Sequence, residues 1–231
     1  MKDRLWLKHC KKRADRKRIE RMLFHVPVKG YFEVNAYIYA NDITRHGFLI
    51  DPGAEPQRFL DIIAKKSLSI DQILLTHGHF DHMGAAEALQ KALGIPLRMS
   101  QKGRAYAEDS FLNLSAHCGP SITLQDVDYF SASEETVLST DGCQLVAVPV
   151  PGHTPDSVMY YAPDDALAFV GDTIFKGSIG TTQFPGGDIR QLMTSIVEKI
   201  LPLPDETVLY SGHSDPTTVG REKQGLVRSF Y

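Results

Sequence analysis

Nine histidines are spread along the chain, and three of them fall within six residues, in Thr76-His77-Gly78-His79-Phe80-Asp81-His82. Residues two apart on an extended strand end point to the same side, so His77 and His79 can grip one metal ion. Asp81 and His82 follow where the chain turns into a helix, close enough to contribute to a second ion beside the first. Three further segments share the grammar of LLTHGH: VPVPGH, AFVGD and LYSGH each take an apolar run into a glycine and then a residue able to bind metal, His153, Asp172 and His213. Glycine permits the abrupt backbone turn that lets a loop leave a strand and aim a side chain back at a common point. Imidazoles and carboxylates without thiolates suit zinc, iron or manganese, and do not suit copper(I) or calcium.

The elements that must position these residues mix two periods. Short β-branched or aromatic runs over 23–28, 36–40, 48–50, 73–75, 145–148, 158–161, 167–170 and 208–210 predict strands. Apolar residues at three- and four-residue spacing predict helices over 56–66, 82–93 and 189–201, with Asp81 and Asp188 as N-caps and Gly94 as a C-cap. The four metal-bearing segments all follow predicted strands. If those strands lie side by side in one or two sheets, their loops meet along one edge. Uneven interleaving of strands and helices implies a layered α/β or α+β domain.

With 231 residues, 42% hydrophobic and 23% charged, the chain has ample material for a buried core. Its apolar stretches run five or six residues, far short of the ~20 that cross a bilayer, so no membrane span is expected. Cys10, Cys118 and Cys143 are odd in number and lack CxxC spacing, which argues against a disulfide framework and favours a cytoplasmic home. The net charge of −3 hides an asymmetry: residues 1–21 hold ten Lys and Arg against three acids, or +7, leaving −10 for the rest. The head, 1–21, is expected to be a disordered or dispensable basic extension, a solvated tail or residues ahead of a start at Met22, with a nucleic-acid arm or a membrane-surface helix as the competing readings, and 22–231 a single domain. A body charge of −10 opposes phosphate-backbone binding, so no nucleic-acid partner is expected.

HGHFDH followed by PGHT, VGDT and SGH resembles the metallo-β-lactamase superfamily, whose signature is HxHxDH plus a later His, Asp and His. The resemblance spans Met22 to Glu222. More closely, NAYIY, LIDPG, LTHGHFDHMGA, PGHTPDSV, GDTIFKGSIG, FPGGD and SGHSDPTTVGREK are similar to a short bacterial branch described as glyoxalase II-like or hydroxyacylglutathione hydrolase-like. This resemblance implies an α+β fold, the four-layer αβ/βα sandwich. It implies that His77, His79 and His153 hold one divalent ion, that Asp81, His82 and His213 hold another, and that Asp172 bridges them. Zinc is the first expectation for both ions, with iron or manganese as alternatives. Two ions ~3.5–4 Å apart can activate a shared water and polarise an acyl carbonyl at once. Asp81 and Asp172 would then be catalytic, orienting the hydroxide or relaying its proton. No Ser or Cys nucleophile is required, and no GxSxG elbow is present to offer one. Asp51 and Thr76 are candidate supports behind the ligands, Asp51 being equally readable as the turn-former of Asp-Pro-Gly.

The expected activity is hydrolysis of a small acyl substrate, a thioester first. A lactonase or another acyl hydrolase, and a mononuclear iron persulfide dioxygenase, are the competing readings of the same resemblance. Classical glyoxalase II enzymes add a helical domain after the last ligand, whereas 18 residues follow His213 here; Thr181 and Ser214 stand where the family commonly has a basic residue and glycine. Lys176, Arg221 and Lys223 are the basic residues nearest the motifs and the candidate anchors for a substrate carboxylate. The glycine-rich stretch 177–187 is expected to be a substrate-side loop. His9, His25, His46 and His117 have no ligand-spaced partners and are expected to be ordinary core or surface residues, and Cys118 a packing residue.

Overall fold

The computed structural model describes residues 21–229. The basic extension expected over 1–21 therefore lies outside the described residues, apart from Arg21, which opens the first strand.

Two six-stranded sheets form the frame. The first holds β1 (Arg21–Lys29), β2 (Glu33–Asn41), β3 (His46–Ile50), β4 (Ser69–Leu74), β5 (Leu97–Ser100) and β6 (Val127–Phe130), in chain order. β1 to β3 are antiparallel and β3 to β6 parallel. Parallel neighbours need a crossover, supplied here by α1 (Pro56–Lys66) before β4 and by α2 (Phe80–Met83) and α3 (Ala86–Leu93) before β5. The helical turns α4 (Arg104–Glu108) and α5 (Ser115–Cys118) lie between β5 and β6. The second sheet holds β7 (Thr136–Ser139), β8 (Gln144–Pro149), β9 (Val158–Ala162), β10 (Leu167–Gly171), β13 (Val208–Ser211) and β14 (Thr217–Thr218), ordered 14-13-10-9-8-7. Its pairs are antiparallel except β10 with β13, which are joined through α6 (Ile189–Ser195) and a π turn at Ile196–Ile200. A small hairpin, β11 (Ile174–Phe175) with β12 (Ser178–Ile179), and a last helix, α7 (Val219–Ser229), complete the chain.

Alternation along the central strands builds three apolar layers. Ala36, Ile38 and Ala40 of β2 face outward onto Phe59 and Ile63 of α1 and Leu89 of α3. Tyr37 and Tyr39, one residue out of phase, face inward and meet Leu145, Tyr160 and Phe169 of the other sheet. Val146, Val148 and Val170 face outward again, onto Leu192, Ile196 and Ile200. The order is helix, sheet, sheet, helix: an α+β four-layer sandwich, as the motifs imply. Because both faces of these strands are covered, their sequences read as continuous apolar runs rather than apolar–polar alternation.

Every predicted strand appears, most of them lengthened, although β4 ends at Leu74 and leaves Leu75 of the predicted run outside it. β5, β6 and β7, each four residues with polar members, were invisible to an apolar-run criterion. Two helix expectations need correction. The segment 82–93 is not one helix, because Ala85 N–H bonds to Pro52 O (2.9 Å) and Gly84 packs directly against the carbonyl of Gly53, which splits it into α2 and α3. Nor is Asp81 an N-cap: His79 occupies that position without a side-chain cap, and Asp81 lies in the first turn. Asp188 does cap α6, accepting from the amides of Arg190 and Gln191, and Gly94 ends α3 at φ +65°.

Candidate metal centre

β8, β10 and β13 run in one direction, so their exits share an edge of the second sheet. Val158 N–H, at the entry of β9 on that edge, donates to Thr76 O (2.8 Å) and stitches the exit of β4 to it. Four loops thereby converge from two sheets. His77 and His79 lie just beyond β4, not on it, and Gly78 between them has no room for a side chain because Tyr106 fills the space. Gly212 is constrained likewise: a Cβ there would stand 2.5 Å from His82 Cε1 and press on Asp172.

Seven side chains meet. His79 Nδ1 lies 3.2 Å from His77 Nε2 and 3.0 Å from His153 Nε2. His82 Nε2 lies 3.4 Å from Asp172 Oδ1 and 4.0 Å from Asp81 Oδ2. His213 Nε2 stands 3.1 Å from Asp81 Oδ2 and 3.4 Å from Asp172 Oδ2, which is itself 3.7 Å from His153 Nε2. Three groupings have all their donor atoms within 4.8 Å of one another: His77, His79 and His153; His77, His82 and Asp172; Asp81, His82 and His213. Asp172 thus faces both ends of the cluster.

The outer nitrogens of these rings are already committed. His153 Nδ1–H donates to Thr181 O (2.6 Å) and His213 Nδ1–H to Glu33 O (2.8 Å). His82 Nδ1–H donates to Asp51 Oδ2 (2.9 Å). Thr76 Oγ1–H donates to Asp51 Oδ2 (2.6 Å), which leaves that hydroxyl to accept from His77 Nδ1–H (3.1 Å). Four imidazoles are therefore held with Nδ1 protonated and the Nε2 lone pair aimed inward, at other lone pairs and at two carboxylates. His82 Nε2 and Asp172 Oδ1 are buried and make no hydrogen bond. Such a set repels itself unless positive charge sits among it, and two divalent ions fit that demand.

Ionisation divides the cluster: His77 and His79 are held neutral, whereas the surrounding carboxylates favour a proton on His82 in the place a metal ion would take. Burial holds His77 far below the usual histidine range and His79 down to about 3. Burial also opposes charge on His82, yet Asp172, Asp51 and Asp81 outweigh it and keep its pKa well above normal. Asp172 is disfavoured as an anion by burial, but His82, His213 and His153 more than offset this, and its carboxyl stays below the usual range. Asp81 is lowered too, against its burial, by His82 and His213.

Asp51 resolves its two readings by filling both: it starts the Asp-Pro-Gly bend at φ +50°, and its carboxylate takes Thr76 N–H (2.7 Å), Thr76 Oγ1–H and His82 Nδ1–H. The candidate substrate anchors fare differently. Lys176 Nζ is held by Asp215 (2.8 Å) at the tip of the β11–β12 hairpin. Lys223 Nζ is held by Asp205, and the start of α7 is pinned to the carbonyls of Thr207 and Asp205. Those residues precede β13 while His213 follows it, and Glu222, between Arg221 and Lys223, accepts from Gly177 N–H and Thr217 Oγ1–H rather than facing the cluster. The structure brings neither Arg221 nor Lys223 to it. Of the stretch 177–187, Thr181 contributes its carbonyl rather than its side chain, so the missing basic residue there leaves the His153 contact intact.

Sequence reasoning missed Tyr106, whose hydroxyl donates to Pro185 O (2.6 Å) and whose ring abuts Gly78. It also missed buried Asn113, which takes Phe80 N–H on its carbonyl and donates to Tyr106 O and Ile122 O. Neither lies in a spaced motif. His46 bonds Asp71, and His25 bonds Asn35, whose side-chain amide donates to the carbonyls of Ser211 and Ser214 on either side of the His213 turn; neither histidine joins the cluster. Among the described residues, no helix is long and apolar enough to cross a membrane.

The chain is similar to a hydroxyacylglutathione hydrolase, GloC, of Haemophilus influenzae, at 34% identity over 86% of this chain and 93% of that protein. It is similar to the crystal structure of the B3 metallo-β-lactamase BLEG-1, at 36% identity and TM-score 0.83, covering 88% of this chain and 97% of the other. TTHA1623, crystallised in a di-iron-bound form, matches at 33% identity and TM-score 0.75, covering 87% and 98%. The family model of the metallo-β-lactamase superfamily matches residues 30–213, a span that runs from the turn after β1 to the last histidine of the cluster. Sandwich, cluster and sequence match agree, and the chain belongs to the metallo-β-lactamase superfamily.

Proposed function

We propose that this protein is a hydrolase of small acyl substrates, thioesters first, that works with two divalent metal ions, zinc before iron or manganese. His77, His79 and His153 would hold one ion and Asp81, His82 and His213 the other, with Asp172 between them. The observation that carries the reading is the inward aim of the imidazole lone pairs, enforced by Thr181, Glu33, Asp51 and Thr76 on the outer nitrogens. Ions bound there supply an activated shared water and a polarised carbonyl.

The protein's own part is orientation and proton handling. Asp81 and Asp172, held ionised by the surrounding histidines, accept hydrogen bonds from the attacking water and take its proton. Asp51 fixes the His82 ring from behind and keeps its lone pair on target. A thiolate leaves without protonation by a dedicated acid, so thioester cleavage asks for no group beyond these seven. The likeness to a hydroxyacylglutathione hydrolase supports this substrate class. The likeness to BLEG-1 favours a second reading, in which the same residues open a lactam or lactone. Seven converging donors exceed what one ion uses, which weighs against a mononuclear iron dioxygenase.

Elemental analysis of the purified protein, followed by a screen of lactoyl thioesters, lactones, β-lactams and persulfides with and without oxygen, tests the proposal. Two ions per chain and oxygen-independent thioester hydrolysis are expected. One iron with oxygen-dependent persulfide turnover would overturn it, and a strong preference for lactams or lactones would replace the substrate while leaving the centre.

A further inference from the structure

Tyr31, Phe32 and Phe184 are large apolar side chains left 64%, 49% and 42% exposed. Single exposed aromatics are ordinary, but these three border the cluster. Tyr31 and Phe32 form the turn between β1 and β2. Their rings meet edge to face at 5.0 Å and pack on Phe80 at 6.3 and 6.0 Å, and Phe80 is the residue between His79 and Asp81. The next residue, Glu33, is the one whose carbonyl orients His213. On the side of His79 and His153, the Phe184 ring stands edge-on to the His79 ring at 5.6 Å. Its loop is tied down on either side, by Thr181 O to His153 and by Pro185 O to the Tyr106 hydroxyl. Each aromatic wall is thus mounted on backbone that also holds a ligand histidine, which is a rigid rather than an incidental placement.

Charge at this rim is muted. Lys29, at the base of the β1–β2 turn, lies 3.6 Å from Glu33, and Lys176 is held by Asp215. A peptide-like carrier with free carboxylates meets aromatic faces here, which reward apolar groups, and the two lysines beside them already have carboxylate partners.

We infer that the mouth selects acyl thioesters whose thiol portion carries an aromatic or branched apolar group, with Phe32 and Phe184 as specificity-determining residues, and disfavours a carboxylate-bearing peptide carrier. The inference rests on the thioester-hydrolase reading above.

The test compares kcat/KM of the metal-loaded protein for two lactoyl thioesters, one with benzyl thiol and one with glutathione as leaving group. Calorimetric binding of the matching non-hydrolysable thioethers, 2-hydroxypropyl benzyl sulfide and S-(2-hydroxypropyl)glutathione, gives a readout separate from turnover. The benzyl compounds are expected to be favoured about tenfold in both measurements. Phe32→Ala and Phe184→Ala should pull each ratio toward one, mainly through KM. Phe184→Tyr should restore the ratio, and Ile43→Ala, exposed on the β2–β3 turn, should leave it alone. Cleavage of both thioesters with glutathione preferred, or ratios that the alanine variants do not move, would overturn the inference while the hydrolase reading stands. Failure to cleave either thioester would overturn both.

Discussion

The Asp51 carboxylate lies 2.9 Å from His82 Nδ1 and, through its other contacts, holds both the amide and the hydroxyl of Thr76, whose Oγ1 in turn meets His77 Nδ1. One buried carboxylate therefore sets the direction of two rings, one in each proposed metal set. Asp51→Ala should weaken binding at the His82 side about 10–100-fold, with a smaller effect at the His77 side, whose ring keeps the Thr76 contact. Asp51→Asn should suffer less backbone strain, because asparagine tolerates φ +50°, yet still loosen the ion. Chelator competition, read as two separate affinities, checks the order.

Asp172 reaches toward both sets, with Oδ1 on His82 and Oδ2 on His213 and His153. Asp172→Ala is expected to reduce bound metal from two ions to one or fewer and to lower kcat/KM by about a thousandfold, roughly 4 kcal/mol in the barrier. Elemental analysis beside steady-state rates measures both. Retention of two ions at full occupancy would count against a bridging role.

Gly212 separates β13 from His213, and a methyl group there would press on His82 and Asp172 together. Gly212→Ala should destabilise the fold by about 1–3 kcal/mol and cost metal binding more than it costs stability. Urea melts with and without chelator separate the two effects: if the variant loses stability equally in both, the strain lies outside the centre.

Asp156 gives the fold an unusual pH response. The side chain is buried, neither oxygen makes a hydrogen bond of good geometry, and burial pushes its carboxyl up to about 6. Between about pH 4 and 6 the folded chain holds this proton while the unfolded chain has released it, so this group makes stability fall as pH rises through that window. The loss is complete above pH 6, at about 2–3 kcal/mol. Asp156→Asn should remove the slope and gain stability at pH 7 relative to pH 4. Urea denaturation of the metal-free protein at those pH values, wild type against variant, checks it. A difference that stays constant with pH would mean that Asp156 is ionised throughout.

All seven proposed ligand positions were legible in the sequence, because each sits one residue beyond a glycine or inside HGHFDH, and both signals are local. Two of the strands that deliver them were legible from composition: residues 145–148 and 167–170 are apolar throughout, since both of their faces are covered. Asp188 and Gly94 could be read as caps because a cap acts within four residues of itself. What the sequence left open depends on contacts between distant segments. Asp51 could be a turn residue or a support until the fold placed it beside Thr76 and His82, 25 and 31 positions away. Lys223 looked close to the motifs along the chain, but β14 turns back along β13 and carries it to the wrong end of that strand. Phe32 and Phe184 fall in turns with no periodic signal, and only sheet order brings both to the rim of one cluster. Periodicity and glycine placement report what one segment does to itself; which segments then meet is decided by how two sheets bury their inner faces against each other.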